Sequence, residues 1–118
     1  MGEVSFELPW PPSVNRYYRH VGPRVLISRA GRQYRTMCVS RLAGRFPKSS
    51  GQLRLSVEFY PPDNRRRDLD NLLKCLQDSL QCAGLYEDDS QIKELHLEMC
   101  PPWPPEGKVH VRIASLSA

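Results

Sequence analysis

The chain has 118 residues, 40% of them hydrophobic and 25% charged, and carries a net charge of +4. That size supports one domain, 1–118, with a single core, and the composition excludes wholesale disorder. No apolar run approaches the ~18 residues of a membrane span, and no basic segment leads into a long apolar one at the amino terminus, so neither spanning nor export is expected.

Val4 to Leu8 alternates apolar and polar residues, which predicts a half-buried strand closed by Pro9-Trp10-Pro11-Pro12. A loop with Asn15-Arg16-Tyr17-Tyr18-Arg19-His20 follows, then a short extended piece at Val25 to Ile27. Ser28 suits a helix cap, and Tyr34, Met37, Cys38, Arg41 and Leu42 recur at helical spacing until Gly44 and Pro47. Gly31 falls in that helix's first turn, where glycine is unfavourable. Leu53 to Tyr60 alternates cleanly as a strand and stops at Pro61-Pro62.

After the arginine run, Leu69, Leu72, Leu73, Leu76, Leu80 and Ala83 form an apolar stripe on a second helix beginning near Asp68, and Gly84 ends it. Ile92, Leu95, Leu97 and Met99 suggest a strand whose phase slips after Ile92, and Val109, Val111 and Ile113 a further one. The link from Pro101 to Gly107 is short enough to join these two as an antiparallel pair, and residues 114–118 read as a loose tail. The order predicts an α+β domain, a small mixed sheet packed by two helices.

Charge is unevenly distributed. From Leu8 to Val57 there is no acidic residue, while Arg16, Arg19, Arg24, Arg29, Arg32, Arg35, Arg41, Arg45 and Lys48 are all cationic. Such an arm repels itself unless a polyanion lies against it, and nucleic acid fits better than an anionic membrane because the segment lacks a strong apolar face. The cysteines, Cys38, Cys75, Cys82 and Cys100, form no C-x-x-C and have no ligand spacing to a histidine, so they read as small, half-buried thiols.

Asp63 to Lys74 reads D-N-R-R-R-D-L-D-N-L-L-K, and Glu87-Asp88-Asp89 follows the helix it introduces. Arginines suit phosphates, whereas clustered carboxylates repel them unless a divalent cation intervenes. Asp68 would be the cap or last loop residue and Asp70 a first-turn residue, positions where aspartate is ordinary. Two of them, between Arg65-Arg66-Arg67 and Asn71, favour a functional reading. Lys74, four residues after Asp70, shares its helix face and would either pair with it or stand beside a scissile phosphate. If the strand after Asp89 returns beside this helix, Asp68, Asp70 and Asp89 would offer hard oxygen ligands to Mg²⁺, supporting hydrolysis of a phosphodiester. His20, His96 and His110 have no partner nucleophile, and the absence of a glycine-rich phosphate loop speaks against a nucleotide cofactor.

Three blocks, L-P-W-P-P-S-V-N-R-Y-Y-R (8–19), F-Y-P-P-D-N-R-R-R-D-L-D-N-L-L-K (59–74) and A-G-L-Y-E-D-D-S-Q-I (83–92), together resemble the RusA-type Holliday junction resolvases. The resemblance implies a homodimer that binds four-way DNA junctions and uses Mg²⁺ or Mn²⁺ to cut two opposed strands symmetrically. It would operate in recombination and repair, in the cytoplasm of a bacterial or phage-infected cell. It carries the family's catalytic acids onto Asp68, Asp70 and Asp89 and its active-site lysine onto Lys74. Asn71, Asn15 and Arg16 fall at further characteristic positions that build the site or meet DNA, alongside Arg65, Arg66 and Arg67. Glu87 stands where the family often has an apolar residue, and Asp88 is a candidate neighbour of the site. The competing expectations are a non-catalytic basic DNA-binding protein and a metal-dependent nuclease for other branched DNA.

Overall fold

The computed structural model describes residues 3–116. In chain order they form β1 (Glu3–Pro9), α1 (Val14–Tyr17), β2 (Tyr18–Val21), β3 (Arg24–Ile27), α2 (Arg29–Leu42) and β4 (Leu53–Tyr60). A 3₁₀ turn (Leu69–Leu72) leads into α3 (Leu73–Cys82), and a second one (Asp89–Gln91) into β5 (Ile92–Met99), before β6 (Lys108–Ser115).

β1, β6, β4 and β5 lie side by side in that order, with β4 parallel to β5 and antiparallel to β6. The sheet is therefore mixed, as expected. The anticipated β5–β6 pair does not form, because β4 lies between them. β4 is buried at every second residue, Leu53, Leu55, Val57 and Phe59, and so takes the centre, where a strand has a neighbour on both sides. A parallel partner needs a long crossover, and α3 supplies it between β4 and β5. Leu53 aligns with Ile92 but Arg54 with Glu94, so Lys93 is an extra residue on β5. This bulge is the physical source of the phase slip in the sequence.

The apolar face of the sheet meets α2 and α3. Tyr34, Cys38 and Leu42 from α2 and Cys75, Leu76 and Leu80 from α3 join β4, Val109, Val111 and Ile113 in one core. Full burial of each leucine is worth about 1.5–3 kcal/mol. Ser79, the polar residue buried on α3, donates its hydroxyl to the Cys75 carbonyl at 2.7 Å. β5, at the sheet's edge, is less covered: Leu95 and Met99 share the apolar face with Leu55 and Phe59 yet are 43% and 36% exposed.

The segment expected as a loop around residues 15–20 is instead the short helix α1 followed directly by β2, which pairs with β3 in a two-stranded ribbon. Its turn is Gly22, at φ +59°. Tyr18, Arg19, His20 and Val21 are too few and too exposed to show a period of two, so the strand was invisible in the pattern. Ser28 caps α2 as expected, accepting the Gly31 N–H at 3.0 Å. The second helix starts later than its apolar stripe suggests, at Leu73, because Leu69–Leu72 winds as a 3₁₀ turn. The expected tail is shorter, since β6 runs through Ser115, while residues 117 and 118 lie outside the described residues.

Candidate active site and arginine-lined groove

Between β4 and α3 the chain folds on itself around Asp63. Its carboxylate takes the Arg65 N–H at 2.9 Å and an Arg67 guanidinium nitrogen at 2.9 Å. Arg67, side chain 18% exposed, also donates to the carbonyls of Asp63 and Arg65 and lies 5.5 Å from the centre of the Trp10 ring. The hydrogen bond from Arg67, then that from the Arg65 backbone, holds the Asp63 carboxyl below its usual range. The three consecutive arginines therefore differ in kind. Arg67 is a structural tie, Arg65 is largely exposed beside Asp63, and Arg66 is exposed and makes no ion pair among the described residues.

Asp68 occupies the cap position of the 3₁₀ turn, but its side chain makes no capping hydrogen bond. The turn is closed by backbone alone, with the Asn71 N–H on the Asp68 carbonyl at 3.2 Å and the Leu73 N–H on the Asp70 carbonyl. Capping does not account for these aspartates. Both are exposed, and neither carboxylate takes part in a hydrogen bond or ion pair among the described residues.

A 3₁₀ turn advances each residue about 120° rather than 100°, since it has 3.0 rather than 3.6 residues per turn. Asp70 and Lys74 accordingly lose the register that an unbroken α-helix would give them. Lys74 pairs forward instead, its Nζ 3.3 Å from Asp78 Oδ1. Asp78 Oδ2 accepts the Tyr17 hydroxyl at 2.8 Å. Burial acts to lower the Lys74 pKa, but Asp78 outweighs it by charge and hydrogen bond, with Tyr18 and Asp89 adding to the upward shift. Asp89 thus lies within electrostatic reach of Lys74, although 15 residues separate them in sequence.

The acidic turn 87–89 sorts into three roles. Glu87 pairs with Lys48 at 3.2 Å. Asp88 caps the second 3₁₀ turn by accepting the Ser90 N–H at 3.0 Å, and hydrogen bonding from the Ser90 side chain, then from its N–H, lowers the Asp88 pKa. Gln91 completes the cap by accepting the N–H groups of Glu87 and Asp88, and its amide donates to the carbonyls of Ser49 and Gly51. Of the three side chains, only the Asp89 carboxylate is left without a hydrogen bond or ion pair among the described residues. Sequence reasoning passed over Tyr17, Asp78 and Gln91. The spacing of Lys74 and Asp78 was legible, but Asp70 competed for the lysine at the same distance.

At Asp68 and Asn71 opens a groove of about 690 Å³, whose lining does not include Asp70, Lys74 or Asp89. Arg16, Arg65, Arg66, Arg67, Asp68 and Asn71 line it together with Trp10, Pro62 and Pro105. All the residues expected to meet DNA face this groove except Asn15, which is exposed on α1 next to Arg16. Gly107 lets the chain after Pro105 pass close to Pro62, both prolines lining the groove, since a Cβ there would lie 2.8 Å from the Pro62 nitrogen.

Asp68, Asp70 and Asp89 provide carboxylate oxygens of the kind that hold hard divalent cations. Their ligand atoms do not all lie within 4.8 Å of one another. Among the described residues the group that meets this distance is Glu58, Glu98 and Cys100. Those side chains stand on the sheet face opposite the helices, as the alternation of β4 requires, and none lines the groove. Glu58 is already engaged by the Tyr60 hydroxyl at 3.4 Å and lies 3.5 Å from His110 Nδ1.

A mixed α+β fold bearing an arginine-lined groove beside unpartnered carboxylates falls in the class of endodeoxyribonucleases, for residues 9–114 match the family model described as endodeoxyribonuclease RusA. The chain belongs to the RusA family. It is 41% identical over 104 residues to the crossover junction endodeoxyribonuclease RusA of Shigella sonnei, covering 86% of each chain. It is 40% identical over 122 residues to the protein of the same name from Enterobacteria phage HK97, covering 100% of this chain and 99% of that one. With the phage 82 protein it shares 39% identity over 103 residues.

Proposed function

We propose that this protein is a divalent-metal-dependent endodeoxyribonuclease that resolves four-way DNA junctions by paired, symmetric nicks. The observation that carries this reading is the groove in which Arg16, Arg65, Arg66 and Asn71 stand with Asp68, whose carboxylate has no partner among the described residues. Arg16, Arg65, Arg66 and Asn71 would hold phosphates in the groove, where backbone contacts read shape rather than sequence. Asp68, Asp70 and Asp89 would hold Mg²⁺ or Mn²⁺, their carboxylates being free of internal partners, whereas the Asp88 carboxylate is committed to its cap. Such an ion supplies charge stabilisation at a phosphoryl oxygen and lowers the pKa of water. Lys74 would face the scissile phosphate and offset its developing charge.

Two coordinated cuts need two equivalent sites, which a two-fold homodimer provides. The open edge of β5, with Leu95 and Met99 exposed, supports such pairing. Action in the cytoplasm of a bacterial or phage-infected cell accords with the bacterial and phage sources of the relatives.

Cleavage of a synthetic four-way junction, with one strand labelled at a time, tests the reading against matched flaps and forks. The expected result is symmetric nicking of the junction in Mg²⁺, abolished in Asp70→Asn while junction binding is retained. Equal cleavage by wild type and variant would overturn the assignment. Preferential cutting of flaps or forks would keep the chemistry and change the substrate.

A further inference from the structure

We infer that Asp78, locked in place by Tyr17, is a positioning residue that aims Lys74 at the scissile phosphate. This rests on the role proposed for Lys74 above and adds the residues that set its direction. A lysine is a compact charge on a flexible stem, so its usefulness at a reacting group depends on what restrains it. Here both oxygens of one carboxylate are committed, Oδ1 to Lys74 at 3.3 Å and Oδ2 to the Tyr17 hydroxyl at 2.8 Å. A carboxylate so engaged is a brace rather than a free ligand.

The brace is itself rigid. Tyr17 is fully buried, and its ring lies against α2 at Gly31, where an added Cβ would stand 2.6 Å from Tyr17 Cδ1 and 2.9 Å from Cε1. The glycine that lowers the helix propensity of α2 is therefore the space the tyrosine occupies. Burial, then the bond to Asp78, holds the Tyr17 phenol well above its usual pKa, so it remains a donor and Asp78 the acceptor. Tyr17 ends α1 and leads straight into the β2–β3 ribbon, whose Arg19 and Arg24 are exposed. Other charged or titratable neighbours acting on Lys74 are Tyr18 from the ribbon and Asp89 from the turn before β5.

The test is a rate-and-binding comparison on pre-bound junction under single-turnover conditions, for Tyr17→Phe, Asp78→Asn and Asp78→Glu, each with and without Lys74→Ala. Misplacing a reacting group by an ångström can cost about 10²-fold. Asp78→Asn and Tyr17→Phe are expected to slow cleavage roughly tenfold or more, with the dissociation constant and the Mg²⁺ concentration for half-maximal rate within about twofold of wild type. Asp78→Glu should recover part of the rate. In the Lys74→Ala background Asp78→Asn should have no further effect, because there is no ammonium left to aim. An unchanged rate in Asp78→Asn, or an equal loss with and without Lys74, overturns the proposal.

A second readout is independent of cleavage. In reductively ¹³C-methylated protein the Lys74 resonance should titrate at lower pH in Asp78→Asn than in wild type. An unshifted resonance counts against the brace. Should wild type cleave no branched DNA, the functional reading fails, and this titration alone decides whether Asp78 holds Lys74.

Discussion

Replacing Gly31 by alanine sets local propensity against tertiary packing. In the interior of a helix, alanine is favoured over glycine by about 1 kcal/mol, so α2 taken alone would gain. In the folded protein the new methyl would stand 2.6 Å from Tyr17 Cδ1 and 2.9 Å from Ile27 Cγ2, well inside the ~3.5–4.0 Å of ordinary carbon contacts. Tyr17 cannot swing away cheaply, being fully buried and bonded to Asp78 through its hydroxyl. Overpacking of this kind costs about 1–3 kcal/mol. The net expectation is a loss of about 1 kcal/mol, seen as a melting temperature lowered by roughly 4 °C. Ser40→Ala, at an exposed position of the same helix, is the control and should gain a few tenths of a kcal/mol by propensity alone. Thermal and urea unfolding of the two variants measure both effects. A Gly31→Ala protein as stable as Ser40→Ala or more so would show that the close approach of Tyr17 to α2 is wrong, and the brace built on it would lose its support.

Arg65→Ala and Arg66→Ala should weaken DNA binding and each reduce the slope of log K against log salt by about 1. Arg67→Ala should chiefly destabilise the 63–68 loop, since its guanidinium is already spent on Asp63, two carbonyls and Trp10; binding isotherms at several salt concentrations separate the two kinds. Gln91→Leu removes an amide that both closes the 87–91 cap and fixes it to Ser49 and Gly51. Cleavage should fall with Asp89 misplaced while junction affinity persists, and a wild-type rate would refute this. Burial pushes the Cys38 and Cys75 thiols up to about 12. Above the unfolded thiol pKa of about 8.5 the unfolded state loses protons that the folded state keeps, so stability should fall as pH rises from there toward 12. Native-state alkylation should meanwhile label exposed Cys82 and spare Cys38 and Cys75. Flat alkaline stability or rapid labelling of all four thiols would contradict that burial.

The main strands and the two longer helices could be read from residues alone, whereas α1, β2 and the place of β4 between β5 and β6 could not. Leu53 to Phe59 could bury one face only as a strand, and the stripe from Leu72 to Ala83 could do so only as a helix. The acidic positions were equally plain, because Asp68, Asp70 and the 87–89 triplet stood out against their surroundings in charge. What spacing could not decide was partnership. Which carboxylate Lys74 meets depends on whether residues 69–72 wind as α or 3₁₀, a difference of about 20° per residue that no side-chain pattern reports. Glu87, Asp88 and Asp89 are chemically near-identical neighbours, told apart by Lys48, Ser90 and Gln91, which reach them only once the chain has folded. Likewise Gly31 weakens its helix on any local scale, and its purpose appears only when Tyr17, fourteen residues earlier, is packed against it. Local periodicity encodes which face of an element is buried; contacts between elements carry no period, so they are settled by tertiary packing.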